Sequence, residues 1–362
     1  MTLAFQNITH SYGNHTVLKN LNIEARAGDI TCLFGGSGCG KSTLLRIAAG
    51  IENLQQGEIL LDGVGLVSPK KQPPPEKRPI GLMFQENALF PNMTISDNIA
   101  FGLKHIKGPE KEALVAQWLE VVGLAGFGAR YPHTLSGGQI QRVAMARSLA
   151  PNPKVLLMDE PFASIDNILR RQLREMTRTL LKKTQSTVLF VTHDPLEALE
   201  IADVIAVMEG GVIVQCDVPQ KLYEQPKTMN VASLFGESLL IKARKIAEGF
   251  DTAYGVISSA GLAQPSAGDD VNGHQNSVSD ACTLAVRPEG LAMKRRSESC
   301  LKVVDIRFVG QRWLVYLLPE DAAPGLQPLR VATDDVEGVE LGDGVTVHAK
   351  PQDFFVFDLA DE

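Results

Sequence analysis

The stretch "ITCLFGGSGCGKSTLLRIAAG", residues 30–50, constrains the fold of this chain more than any other. A short apolar run (30–34) reads as a buried strand, and "GKSTLLRIAAG" (40–50) reads as a helix. Between them, Gly35, Gly40, Lys41 and Ser42 fit the spacing G-x-x-x-x-G-K-[ST]. Glycines there let the backbone approach a phosphate closely, while N–H groups and the helix N-terminus face the anion. The pattern predicts that Gly35, Gly36, Ser37, Gly38, Cys39, Gly40, Lys41, Ser42 and Thr43 cradle nucleotide phosphates. Lys41 is expected to neutralise β/γ charge and the Ser42 hydroxyl to ligate Mg²⁺.

The surrounding pattern is that of an α/β sheet. "VLLM" (155–158), "TVLFV" (187–191) and "VIAVM" (204–208) read as buried strands, and 167–184 and 195–202 as helices. The strand signal fades between 86 and 150, where "EKEALVAQWLEVVGL" (110–124) has helical periodicity, so a helical insertion is expected there. "KKQPPPEKRP" (70–79) reads as a stiff, charged surface loop.

Three polar groups follow buried strands. "KVLLMDEP" (154–161) delivers Asp159 and Glu160 to a strand end, where open α/β sheets bind ligand. Asp159 is the expected Mg²⁺-side carboxylate, directly or through water. Glu160 is a candidate to orient or deprotonate the attacking water. His193, in "THD", ends a strand at the same edge, where a neutral imidazole could bond a γ-phosphate or that water. A second glycine turn, Ser136-Gly137-Gly138, precedes the helical pattern "QIQRVAMARSLA", which makes an anion-friendly helix N-terminus that one nucleotide does not require.

These pieces resemble, in order and spacing over residues 3–239, the nucleotide-binding subunit of ABC transporters, with "LSGGQ" (135–139) as the family's signature. The resemblance implies ATP and Mg²⁺ as cofactors and assigns further roles. Tyr12 matches the aromatic that stacks on adenine. Gln85 matches the glutamine that contacts Mg²⁺ or water and links the core to the helical insertion. Asp166 matches the D-loop aspartate at the dimer interface, and His193 the switch histidine. It also implies a homodimer packed head to tail, in which Ser136, Gly137, Gly138 and Gln139 close the partner's ATP. Two departures are small: Gly36 stands where the family often has Pro, and the D-loop reads Ala163-Ser164-Ile165-Asp166.

Beyond residue 240 the pattern changes to alternation broken by Gly and Pro turns, in 284–293, 301–318 and 343–357. The net charge of −7 lies here too: residues 1–239 hold 23 basic and 23 acidic residues, whereas 240–362 hold 12 against 19. No large basic footprint exists for nucleic acid. The expected organisation is an ABC ATPase domain (1–239, helical subdomain about 86–150) and a small all-β domain (240–362). Residues 263–281 are expected to form a mobile loop. The β domain, with "VRPEG" (286–290), resembles the OB-like (TOBE-type) regulatory module of binding-protein-dependent importers.

No apolar run approaches the ~20 residues of a membrane helix, and "MTLAFQNITH" lacks a signal peptide's basic start and apolar core. A cytosolic protein is expected. By the resemblance it works on the cytoplasmic face of the bacterial inner membrane, through separate permease subunits and, indirectly, a solute-binding protein. "RYPHTLSGGQ", "DEPFASID" and "ASLFGESLLI" are similar to ferric-iron importer subunits. Polyamine, sulfate, molybdate, sugar and phosphonate importers share most core motifs. A non-transport ABC ATPase acting on a soluble partner is the alternative of a different class.

Overall fold

The computed structural model describes residues 1–84, 89–162, 167–247, 249–258, 281–350 and 354–358, in two compact units, Met1–Gln220 and Lys221–Glu362. The first unit opens with β1 (Leu3–Tyr12), β2 (His15–Ala25), β3 (Ile30–Phe34) and α1 (Lys41–Ala49), then β4 (Gln56–Leu61), β5 (Val64–Val67) and β6 (Ile80–Met83). The helices α2 (Ile95–Ala100), α3 (Pro109–Val121) and α4 (Gly137–Leu149) follow. The chain returns through β7 (Val155–Asp159), α5 (Asn167–Thr184), β8 (Thr187–Thr192), α6 (Pro195–Ile201), β9 (Val204–Glu209) and β10 (Val212–Asp217).

Two sheets result. One is antiparallel in the order β2-β1-β4-β5. The other runs β10-β9-β3-β8-β7-β6, parallel except for the edge strand β10. Every residue of β3 and β8 is buried, as the continuous apolar runs of a doubly covered parallel sheet require. Helix α1 joins the sheets: its Leu44, Leu45, Ile47 and Ala48 share one core with Phe5 and Leu18 of the first sheet and Leu33, Leu157 and Leu189 of the second. Each such leucine contributes about 1.5–3 kcal/mol by leaving water, so the helix after the glycine loop is firmly seated.

One local feature departs from the sequence expectation. The charged 70–79 loop sends Arg78 inward, buried, where its guanidinium donates to the carbonyls of Ile47 (2.6 Å), Ala48 (2.8 Å) and Pro73 (2.8 Å). A cation there satisfies the Ala48 carbonyl at the end of α1, adds to the Gly50 N–H that the Ile47 carbonyl already accepts, and complements the helix dipole. In the helical segment, the fully buried Asn98 of α2 accepts from Phe90 N–H and donates to the carbonyls of Phe90, Met93 and Thr94. One amide thus folds the chain that enters the helices.

The second unit is described by itself. After α7 (Pro219–Glu224), which runs across the division, come α8 (Met229–Leu234), β11 (Leu239–Ile246), β12 (Gly249–Thr252), β13 (Gly255–Ser258), β14 (Ala281–Val286) and β15 (Leu291–Arg295). The chain ends with β16 (Leu301–Phe308), β17 (Trp313–Pro319), β18 (Leu329–Thr333), β19 (Val345–Ala349) and β20 (Phe354–Asp358). A seven-stranded sheet, β15-β19-β13-β12-β11-β14-β20, and a three-stranded one, β16-β17-β18, share a core of Ile241, Leu284, Leu291, Val315, Leu317 and Val331. The C-terminal region is therefore β-built, as its alternation implies. The 263–281 loop falls almost wholly outside the described residues.

Arg287 of "VRPEG" is buried in this unit, stacked over the rings of Tyr223 (3.7 Å) and Phe355 (4.8 Å), and it donates to the Tyr223 carbonyl. Among the described residues, no helix is long and apolar enough to cross a membrane.

Candidate nucleotide site

The glycine loop leaves the C-terminal end of β3, at the middle of the parallel sheet, and enters α1 through Gly40. Its glycines answer different demands. A Cβ on Gly35 would lie 2.3 Å from the Met208 carbonyl oxygen, so only glycine lets the loop pass β9. Gly38 and Gly40 hold φ of 82° and 107°, a left-handed backbone in which side chains are strained. Gly36 has neither constraint, with nothing within 4 Å of its would-be Cβ. This accounts for a position where the family often carries a larger residue.

Gly40 caps α1 without any side-chain hydrogen bond, so among the described residues no side chain caps the first-turn N–H groups, an arrangement suited to an anion. Lys41 is buried, and its ammonium donates to the carbonyls of Gly35 (2.7 Å) and Gly36 (2.8 Å), with Cys39 Sγ at 3.7 Å. The positive charge therefore sits inside the loop. Ser37 is exposed, whereas Ser42 and Thr43 are half-buried in the first turn.

Two neighbouring strands bring the remaining groups. The Ser42 hydroxyl donates to Asp159 Oδ1 at 3.1 Å, joining the loop to the end of β7. Burial pushes the Asp159 carboxyl above its ordinary range; the Ser42 bond opposes this, and the Glu160 carboxylate adds to it. Glu160 turns out of the strand with φ 42°, its N–H donating to the Val191 carbonyl at 3.0 Å. A non-glycine residue in that region carries strain of about 1 kcal/mol or more. Here it accompanies a carboxylate placed 3.0 Å from His193 Nδ1, at the end of β8. With the carboxylate as acceptor, Nδ1 carries the proton, and Nε2 of the neutral ring is left as an acceptor.

The histidine itself is 58% exposed, while Glu160 is 20% exposed. Lys41, Ser42, Asp159, Glu160 and His193 thus meet at one sheet edge, as their placement after buried strands predicts.

The other predicted residues lie on separate elements. Tyr12 ends β1, half exposed, edge-on to His10 with ring centroids 4.8 Å apart. The hairpin it belongs to flanks the loop, since Leu18 and Val17 stand against Gly40. In the signature stretch, α4 begins at Gly137, so Gly137 and Gly138 form its first turn and do not precede the helix. Ser136 is the N-cap: its Oγ accepts from Gln139 N–H at 3.4 Å, and Gln139 Oε1 accepts from Ser136 N–H at 3.0 Å. The reciprocal box rigidifies the turn while leaving the Ser136 proton free to donate outward. Ser136 and Gly137 are exposed. Gln85 and Asp166 lie outside the described residues.

Some supporting residues escaped the sequence reading, chiefly those flanking His193. The Thr192 hydroxyl donates to the buried Glu197 and accepts from Asp194 N–H, and Asp194 Oδ1 accepts from the N–H groups of Leu196 and Glu197. The Asp-x-x at the start of α6 is a recognisable capping signal. Nothing local in the sequence announces the Thr192–Glu197 bond.

Strand ends that converge on a glycine loop at the heart of a parallel sheet mark the P-loop nucleoside-triphosphate hydrolases, and this chain is of that class by fold and by site. Comparison with known proteins narrows the class. Residues 18–163 match the family described as ABC transporter. The chain is 43% identical to the Fe(3+) ions import ATP-binding protein FbpC of Vibrio cholerae, over 65% of this chain and 67% of that one. It is 44% identical to the sulfate/thiosulfate import ATP-binding protein CysA of Gloeobacter violaceus, over 66% and 68%. It is 38% identical to the spermidine/putrescine import ATP-binding protein PotA of Nitrosospira multiformis, over 92% and 95%.

Among solved structures it is similar to the ATP-binding cassette MJ0796, a dimer in a post-hydrolysis state bound to ADP and Pi. That match has 28% identity and a TM-score of 0.52, and it covers 60% of this chain and 98% of that one. The chain belongs to the ATP-binding subunits of ABC transporters, in the importer branch, and is an ATPase coupled to transport.

Proposed function

We propose that this subunit powers ferric-iron import, acting as a homodimer on the cytoplasmic face of the inner membrane through separate permease subunits that a solute-binding protein supplies. Residues 1–239 form the ATPase module, with a helical part at about 86–150, and 240–362 a regulatory β module. The observation that carries the hydrolytic reading is the 3.0 Å contact between Glu160 and His193, beside the Ser42–Asp159 pair. Glu160 orients and deprotonates the attacking water, and His193 Nε2, left as an acceptor, takes a hydrogen bond from that water. Lys41 and the loop N–H groups hold the phosphates, while Tyr12 stacks on adenine. Gln85 and Asp166 take the water- or metal-linking and interface roles of the family.

Ser42 and Asp159 suit Mg²⁺. Both offer hard oxygen donors, and their 3.1 Å separation is close to the roughly 2.9–3.0 Å edge of an octahedron with ~2.1 Å metal–oxygen bonds. Bound there, the ion would neutralise phosphate charge. The internally capped Ser136–Gln139 turn, exposed at Ser136 and Gly137, supports a head-to-tail dimer, in which each copy closes the other's ATP with a helix N-terminus. The MJ0796 cassette, itself a dimer, supports a dimeric assembly.

Iron is favoured by relatives that carry it in their names and match 37–43% of aligned residues. A polyamine reading is favoured by a relative that matches over 92% of this chain, β module included. The test is reconstitution with the permease encoded beside the gene. Radiolabelled ferric iron, delivered with its binding protein, is expected to enter vesicles in an ATP-dependent manner. Spermidine uptake without iron uptake would select the second reading.

A further inference from the structure

Helix α5 carries a ladder whose first rung differs in kind from the rest. Arg170, Arg174, Arg178 and Lys182 recur every four residues, so they share one helix face. Each meets an acid on or beside α6. Arg170 lies 3.6 Å from Asp194, Arg174 lies 2.7 Å from Glu200, and Arg178 (2.9 Å) and Lys182 both reach Asp203. The later rungs engage residues at or beyond the end of α6. Arg170 engages the turn that holds His193.

That turn is over-determined on both sides of the histidine. Thr192 is tied to Glu197, and Asp194 Oδ1 caps α6. The second oxygen of Asp194, Oδ2, is the one that Arg170 meets. A carboxylate with one oxygen on a helix cap and the other 3.6 Å from a guanidinium is restrained in rotation, and with it the backbone from which the imidazole reaches Glu160.

We infer that Arg170 is a positioning residue for His193, holding the Asp194 carboxylate so that Nδ1 stays on Glu160. It also ties the histidine's turn to α5, the helix that follows residues 163–166 in the chain. The inference rests on the hydrolytic reading of Glu160 and His193. Arg178 provides the comparison, since it makes a closer, hydrogen-bonded ion pair and a carbonyl contact to Ile201, both away from the turn.

The experiment compares Arg170→Gln, Arg170→Lys, Asp194→Asn, Arg178→Gln and His193→Ala in the full-length protein. It records kcat and KM for ATP, thermal melting, and the ring nitrogen signals of labelled His193. Arg170→Gln and Asp194→Asn, whose amide keeps the cap acceptor, should each lower kcat about three- to fivefold and move the His193 ring signals. KM for ATP should stay unchanged, the double variant should be no worse than either single one, and Arg170→Lys should recover most of the rate. Arg178→Gln should lower the melting temperature while sparing both kcat and the ring signals.

Equal loss of kcat in Arg178→Gln, or unmoved ring signals in Arg170→Gln, would overturn the proposal. Normal turnover in His193→Ala would instead overturn the reading beneath it, and the proposal with it.

Discussion

Gly35 and Gly36 are adjacent, neither has a left-handed backbone, and the structure predicts opposite outcomes for the same substitution. An alanine Cβ at Gly35 would stand 2.3 Å from the Met208 carbonyl oxygen, where ordinary contact begins at 3.4 Å, so the two must separate by about 1 Å. Met208 cannot yield cheaply: β9 is paired on one side with β3 and on the other with β10, Met208 itself facing Ile213. The loop must therefore retreat. Overpacking of this kind costs about 1–3 kcal/mol. Because the displaced atoms are those proposed to surround the phosphates, nucleotide affinity is expected to fall about 10- to 100-fold, at roughly 1.4 kcal/mol per decade. At Gly36 the added methyl meets nothing within 4 Å. Restricting the unfolded chain should then stabilise Gly36→Ala by about 0.4–1 kcal/mol, with affinity unchanged. Titration with a fluorescent ATP analogue, alongside thermal melting, measures both. Wild-type affinity in Gly35→Ala, or equal losses in the two variants, would refute the steric argument.

Three further outcomes follow from the same geometry. Glu160→Gln keeps a side chain that can accept from His193 but cannot take a proton; turnover should drop by about 10²–10⁴ while ATP binding persists, with an ATP-bound dimer accumulating in size-exclusion chromatography. Arg78→Ala removes three carbonyl contacts, two of them at the end of α1, and should cost about 2–3 kcal/mol in urea unfolding. Arg78→Lys should recover only part, since a point charge cannot span that set of acceptors. Asp203→Asn tests pH linkage. Burial pushes the Asp203 carboxyl up, but the Ile30 N–H, Lys182 and Arg178 outweigh it and hold it below its ordinary 3.8. A lowered folded-state value means that its stabilisation is full above about 3.8 and fades as pH falls through the lowered value. The stability gap between wild type and Asp203→Asn should therefore be constant near neutrality and shrink in strong acid; a gap that widens there would contradict the assignment.

The parts of the site legible in the sequence are those that are contiguous in the chain. The glycine loop, Asp159–Glu160 and His193 each sit directly after a run of apolar residues that can only be a covered strand, and such runs place their ends on one sheet edge. Helix α5 was legible over 167–184 for the same reason, since its period is written locally. The antiparallel sheet was not read strand by strand, because β1 changes register against β2 between Phe5 and Ile8, again before His10, and once more before Ser11. Bulges of that kind break the alternation that identifies a strand.

Charge gave the least information. Nothing local separates Arg78, buried against the end of α1, from Lys70, Lys71 and Lys77 in the same loop, because the two acceptors that seat it on that helix lie about thirty residues away. The same holds for Arg170. Its place in an i, i+4 series is readable, but whether that series faces water or a row of acids depends on where α6 packs. Catalytic groups must be delivered by short, stiff motifs, and so they leave a local signature. The groups that aim them need only be near in space, which is why Arg170 becomes visible only when α5 is seen against the turn of His193.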